Sequence, residues 1–169
     1  MGIAKQILQT DLNYSAWITR RLLDVCSSLT VAEMTRDLGL SHRSVLLTLH
    51  HIYDSEQFWV SCLLTNAMPP MSTIGTGEAP PVPTLEELTQ LWPPVWDSLD
   101  RWFAAVPEDQ LAQTLSSRLA SGEDFHFTRW QLLRHNVNHA TLHRGQIVSM
   151  MRMLGKQPPN VDLMSYLLK

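Results

Sequence analysis

HNVNHATLHRGQ, residues 135–146, sets His135, His139 and His143 at steps of four. On an α-helix each residue turns about 100° and rises about 1.5 Å, so residues four apart differ by only about 40° and about 6 Å. The stretch reads as helix, and its neighbours extend it. Leu132, Ala140, Ile147, Met150, Met151 and Leu154 share one apolar arc, which carries the helix from about Thr128 to Leu154. Gly155 and then Pro158-Pro159 end it. His139 and His143 lie nearest that arc, whereas His135 sits at its rim, fit for a substrate contact or plain exposure. His135 and His143 are about 12 Å apart along the axis, too far to share an ion whose Zn–N bonds are about 2.0–2.1 Å. The pair one turn apart can share one, although two such imidazoles can also hydrogen-bond to ordinary neighbours.

Working outward, three more long helices appear. From residue 4 to 27, Leu8, Leu12, Ser15, Thr19, Leu22, Leu23 and Cys26 form a stripe that leaves Arg20 and Arg21 outside. A short helical stretch ends at Gly39, and Ser41 is placed to cap a second long helix running to Leu64. Residues 66–83, rich in Pro, Gly, Ser and Thr, form a long crossover. Thr84 and Glu87 make a capping box that starts the third long helix. Pro93-Pro94 predicts a kink near Trp92 or a later start at Pro93, because each proline removes a donor and crowds the preceding turn. Residues 107–127 alternate weakly around a Ser121-Gly122 turn, as a short hairpin or loop. The sum is an all-α four-helix bundle with a long crossover between helices two and three, one domain over 1–169.

Composition agrees with one globular domain: 169 residues, 44% hydrophobic and 17% charged. A net charge of −3 gives no general attraction to nucleic acid or anionic membrane, and no apolar run reaches the roughly 18 residues of a spanning helix. Two cysteines, Cys26 and Cys62, and no secretory layout at the N-terminus point to a reducing cytoplasm. Trp17, Trp59 and Met150 are expected in the core.

A third imidazole has to come from another helix. LLTLHHIYDSEQFW offers His50 and His51, about 100° apart in direction, and periodicity leaves the choice open. Cys62, about 16 Å along the helix from His51, is no obvious further ligand.

NHATLHRGQIVSMMRMLGKQPPNVDLMSYL resembles the last helix and tail of the DinB-like (YfiT-like) metalloproteins, with HRGQ the most specific element. LHHIYDSEQFW is similar too: His51 precedes an aliphatic residue and stands five before Glu56, itself three before Trp59. The resemblance continues through NYSAWITRRLLD and DLGLSHRSVLLTL, covering most of the chain except the crossover and residues 107–125, while Pro93-Pro94 departs from it. It implies a four-helix bundle, a homodimer, and a divalent metal on one histidine of helix two and two of the last helix: His51, His139 and His143. It also implies a transferase or isomerase that uses a low-molecular-weight thiol against an electrophile.

Three neutral imidazoles leave the charge of a bound divalent ion uncancelled and a coordination position open, so a water or thiol there becomes a nucleophile near neutral pH. Zinc or nickel fits best, and imidazole also suits iron or manganese. His135, Arg144 and Glu56 are the candidate catalytic residues, with Asn138 and the weaker Gln146 beside them. One rival is a bundle that binds metal or dimerises without turnover. The other is a helix-turn-helix over VAEMTRDLGLSHRSVLLTLHHI, against which stands a recognition helix with only Arg43 as a full cation near its start, beside His42, in a chain that is acidic as a whole.

Overall fold

The computed structural model describes residues 2–70, 81–118 and 121–169. Helices α1 (Ile3–Cys26), α3 (Val45–Thr65), α4 (Leu85–Ala105) and α5 (Arg129–Met153) form the bundle, with short α2 (Val31–Thr35) and α6 (Leu163–Leu167) at its margins. A 3-10 turn (Glu108–Ala112) and an antiparallel hairpin, β1 (Thr114–Arg118) with β2 (Asp124–Thr128), connect α4 to α5. Weak alternation in this stretch is thus a hairpin: Leu115 packs into the core and Gly122 takes the left-handed turn at φ 91°.

Each long helix packs on two others, in the order α1, α5, α3, α4 around the bundle. Residues at the start of α3 (Val45, Leu49, Ile52) share a core cluster with Leu88, Trp92 and Trp96 near the start of α4, and with Ile147, Met150 and Met151 near the end of α5. At the opposite end, Val60 and Leu63 meet Leu99, Phe103, Leu132 and Leu133. So α3 and α4 run parallel, and α5 runs against α3. A connection between two parallel neighbours has to return along the bundle, which is the crossover read from residues 66–83; its residues 71–80 lie outside the described residues. Fully buried Trp92, Phe103, Leu49 and Ile147 each contribute about 1.5–3 kcal/mol of hydrophobic stabilisation.

Sequence and structure part at three places. α3 is capped by Ser44, whose hydroxyl accepts from the Leu47 amide, and not by Ser41. Arg43, at φ 62°, bends the chain between them and turns Ser41 toward α5. Helix α4 starts at the Thr84 capping box and runs through Pro93 and Pro94, so it does not begin at Pro93. Both prolines lie on the exposed face, as do Thr89 and Gln90, whose carbonyls lose their helical donors there and meet water instead. Met150 is core, but Trp17 and Trp59 are half-buried: Trp17 packs on Tyr166, and Trp59 lies edge-on to His135. Among the described residues, no helix is long and apolar enough to cross a membrane.

Candidate metal centre

One turn of α3 and two of α5 face each other where His51 meets His139 and His143. The Nε2 atoms of His51 and His139 stand 3.0 Å apart, and the His143 ring centre lies 4.6 Å from His51 and 4.5 Å from His139. His50 turns away: its Nε2 pairs with the Asp54 carboxylate at 3.1 Å, one turn on. The choice that periodicity left open is therefore made by packing, with His51 toward α5.

A fourth ring completes the cluster. His42, from the loop before α3, stacks on His51 at 3.8 Å with 20° between planes and stands edge-on to His143 at 4.9 Å. Ligand atoms of His42, His51 and His143 all lie within 4.8 Å of one another, and His139 joins through its contact with His51. Helical periodicity had no means of finding His42, because it lies outside any helix. The available signal was its nearness in sequence to the cap of α3.

Burial, followed by repulsion from the surrounding imidazoles, pushes His51 and His139 down to about 4. His42 is lowered by burial and then by His143, and His135 by burial. His51 and His139 are thus neutral at pH 7, with lone pairs that protons do not contest. The Nδ1 of His143 lies 2.8 Å from the Gln146 Oε1, an acceptor, which favours a proton on that nitrogen and, of the two neutral tautomers, the one whose lone pair is on Nε2. Gln146 thereby fixes the tautomer a metal ligand needs.

This donor set fits a divalent cation. A tetrahedral ion with bonds of about 2.0–2.1 Å separates its ligand nitrogens by about 3.4 Å, close to the His51–His139 spacing. At 3.0 Å one of the two Nε2 atoms can donate to the other, a contact that a shared cation would replace, and the buried Nδ1 of His139 has no hydrogen-bond partner among the described residues.

The remaining candidates lie around this centre at different depths. His135 is exposed, 5.7 Å from His139 and 5.0 Å from Trp59. Asn138 is exposed on the same helix. Arg144, 1% exposed, points the other way, donating to the Ser15 hydroxyl at 2.9 Å, Thr19 at 3.3 Å and Thr141 at 2.9 Å. Glu56 is buried and accepts from the Trp92 indole at 2.7 Å; burial pushes its carboxyl up, against Trp92 and Arg144. In the helix-turn-helix stretch, Arg43 is held by Asp37 at 2.7 Å and His42 belongs to the histidine cluster. An open cavity of about 340 Å³ lined by Ser41, His42, Arg43, His50, His51 and Asp54 leads to the cluster from solvent.

Comparison with known proteins adds three findings. The DinB family profile matches residues 4–168. Similar solved structures include a DinB-like protein, YjoA, from Bacillus subtilis (12% identity, 90% of this chain and 97% of that one, TM-score 0.64). They also include YfiT from Bacillus subtilis (16% identity, 93% of each chain, TM-score 0.63), described as a probable metal-dependent hydrolase with an unusual four-helix bundle topology. Comparison with curated proteins finds no match.

Proposed function

The chain belongs to the DinB family over nearly its whole length, and from that premise we propose that it is a divalent-metal-dependent enzyme acting at the histidine cluster. The observation that carries this reading is the 3.0 Å approach of the His51 and His139 Nε2 atoms. Two neutral imidazoles pressed together beside a third favour a cation at their meeting point. In this reading His51, His139 and His143 hold zinc or nickel, with iron or manganese as further occupants. A divalent ion so held supplies Lewis acidity, lowering the pKa of a thiol or water that reaches it.

The chain's own residues then bind and orient. Gln146 accepts from the His143 Nδ1, selecting the tautomer that offers Nε2 to the ion. His135, at the exposed rim beside Trp59, is the side chain placed to meet substrate and exchange a proton with it. Arg144 and Glu56 act as positioning residues, tying α5 to α1 and α3 to α4 beneath the site. A small thiol attacking an electrophile is the proposed reaction of a homodimeric, cytoplasmic transferase, in keeping with the buried free Cys26 and Cys62. Hydrolysis, with water in place of the thiol, is the second reading, favoured by the likeness to YfiT.

Metal content of protein purified without an affinity tag, compared with His51→Ala, His139→Ala and His143→Ala, tests the site. Loss in all three variants is expected, and equal content in all four proteins would overturn the proposal. A panel of thiols with electrophiles, run beside ester and amide hydrolysis, then separates the two reactions.

A further inference from the structure

The loop between α2 and α3 is built to hold His42 where it is. Gly39 and Arg43 both take left-handed conformations, at φ 72° and 62°. A residue with a Cβ such as Arg43 is disfavoured there, so the neighbouring contacts must enforce it. They are close ones: the Leu38 amide donates to the Arg43 carbonyl at 2.7 Å, the Arg43 amide to the Leu40 carbonyl at 2.8 Å, and Asp37 grips the Arg43 guanidinium. The result sends Arg43 outward and His42 inward. Ser41 then donates to the Gln146 Oε1 at 3.3 Å, the same oxygen that receives the His143 Nδ1 proton. Loop and α5 are thus joined at a single amide, which sets His42 and His143 relative to each other.

The loop aims the imidazole inward, but among the described residues no hydrogen bond rewards it there. Among the described residues, no hydrogen bond or ion pair engages the ring nitrogens of His42, and its neighbours are the rings of His51 and His143. Stacking alone would be served as well by any flat ring, whereas His42 brings a nitrogen within 4.8 Å of those of two other ring donors.

We propose that His42 is a fourth, exchangeable ligand of the metal centre, occupying from the loop the coordination position that His51, His139 and His143 leave open. The inference rests on the three-histidine reading and changes its consequence. The resting centre is closed by four neutral nitrogens, with the full double charge of the ion uncompensated. A substrate enters by displacing the one ligand that is not on a long helix. The species best suited to do so is a small anionic donor, such as a thiolate, because it neutralises charge that imidazole does not. The cavity beside His42, whose wall carries Arg43 paired with Asp37 and His50 paired with Asp54, gives a small molecule its route from solvent.

Cobalt(II) loaded into tag-free protein provides the test, with the visible spectrum, chelator competition and azide titration as readouts. His42→Ala and His42→Phe, the latter keeping a stackable ring, are expected to retain one cobalt per chain but to bind it about 10-fold or more weakly. Both should show an altered visible spectrum and take up azide at about 10-fold lower concentration than the parent. Unchanged spectrum, affinity and azide binding in the two His42 variants would overturn the fourth ligand while leaving the other three in place. A normal His42→Phe with a weakened His42→Ala would overturn it too, by showing that the ring serves packing alone. His139→Ala is the control for the underlying reading: if it keeps cobalt at parental affinity, the three-histidine site itself falls.

Discussion

Two sets of polar groups inside this bundle have different surroundings. In one, the terminal nitrogens of Arg144 are taken up by Ser15, Thr19 and Thr141, its guanidinium lies over Tyr14, and Glu56 receives the Trp92 indole, with the Arg144 Nε left without a partner among the described residues. At the histidine cluster, four rings of the same kind crowd together, His143 pairs with Gln146, and among the described residues the His139 Nδ1 has no partner. The first arrangement is what folding alone requires of a polar group placed inside. The second is four like rings that meet mainly one another, the arrangement that the proposed cation would complete. Position along one helix does not separate the two, since His143 and Arg144 are adjacent. Direction does, because about 100° of rotation sends one to α3 and the other to α1.

Arg144→Ala is the strongest challenge to that contrast. It strips hydrogen bonds from α1 and α5 and leaves a cavity, so chemical denaturation is expected to register a loss of about 2–4 kcal/mol. Metal stoichiometry of the folded protein should stay unchanged; coordinated loss of metal with full stability would reverse the assignment of roles. By the same measurement, His139→Ala in the metal-free protein should cost less than about 1 kcal/mol, because the half-buried ring it removes is bonded only through Nε2, to another imidazole, among the described residues.

Acid titration of the metal-free protein gives a further comparison. An unfolded histidine titrates near about 6.5, whereas folded His51 and His139 are held down to about 4. Between those values the unfolded chain binds more protons, so stability is full above the upper one and falls as the pH drops toward the lower. The denaturation midpoint should decline across that window, and the double variant His51→Ala/His139→Ala should flatten the decline. An equally steep profile in the double variant would place the acid sensitivity elsewhere. The smallest effect concerns the cap that sets the start of α3: Ser44→Ala should cost about 1 kcal/mol and Ser41→Ala less than about 0.5.

Much of the architecture could be read from spacing. The stripe from Leu8 to Cys26, the Thr84–Glu87 box and the arc from Leu132 to Met151 all lie where periodicity put them, because a helix repeats its geometry every few residues whatever surrounds it. Pro93-Pro94 misled for the complementary reason: the penalty is local, but exposure on one side of α4 lets water absorb it. Ser41 and Ser44 are equivalent as letters, and only the left-handed Arg43 between them decides which one caps.

The residues alone determined that two imidazoles on the last helix share a face and that the chain closes into four rods, since both follow from the fixed rise and turn of the α-helix. Tertiary structure decided the rest of the centre: that His51 faces inward while His50 turns to Asp54, that Gln146 sets the tautomer of His143, and that His42 joins from a loop. His50–Asp54 and His143–Gln146 are pairs within one helix, but which face of α3 meets α5 and where the bend at Arg43 aims His42 are set by contacts between segments distant in sequence, to which no helical period extends.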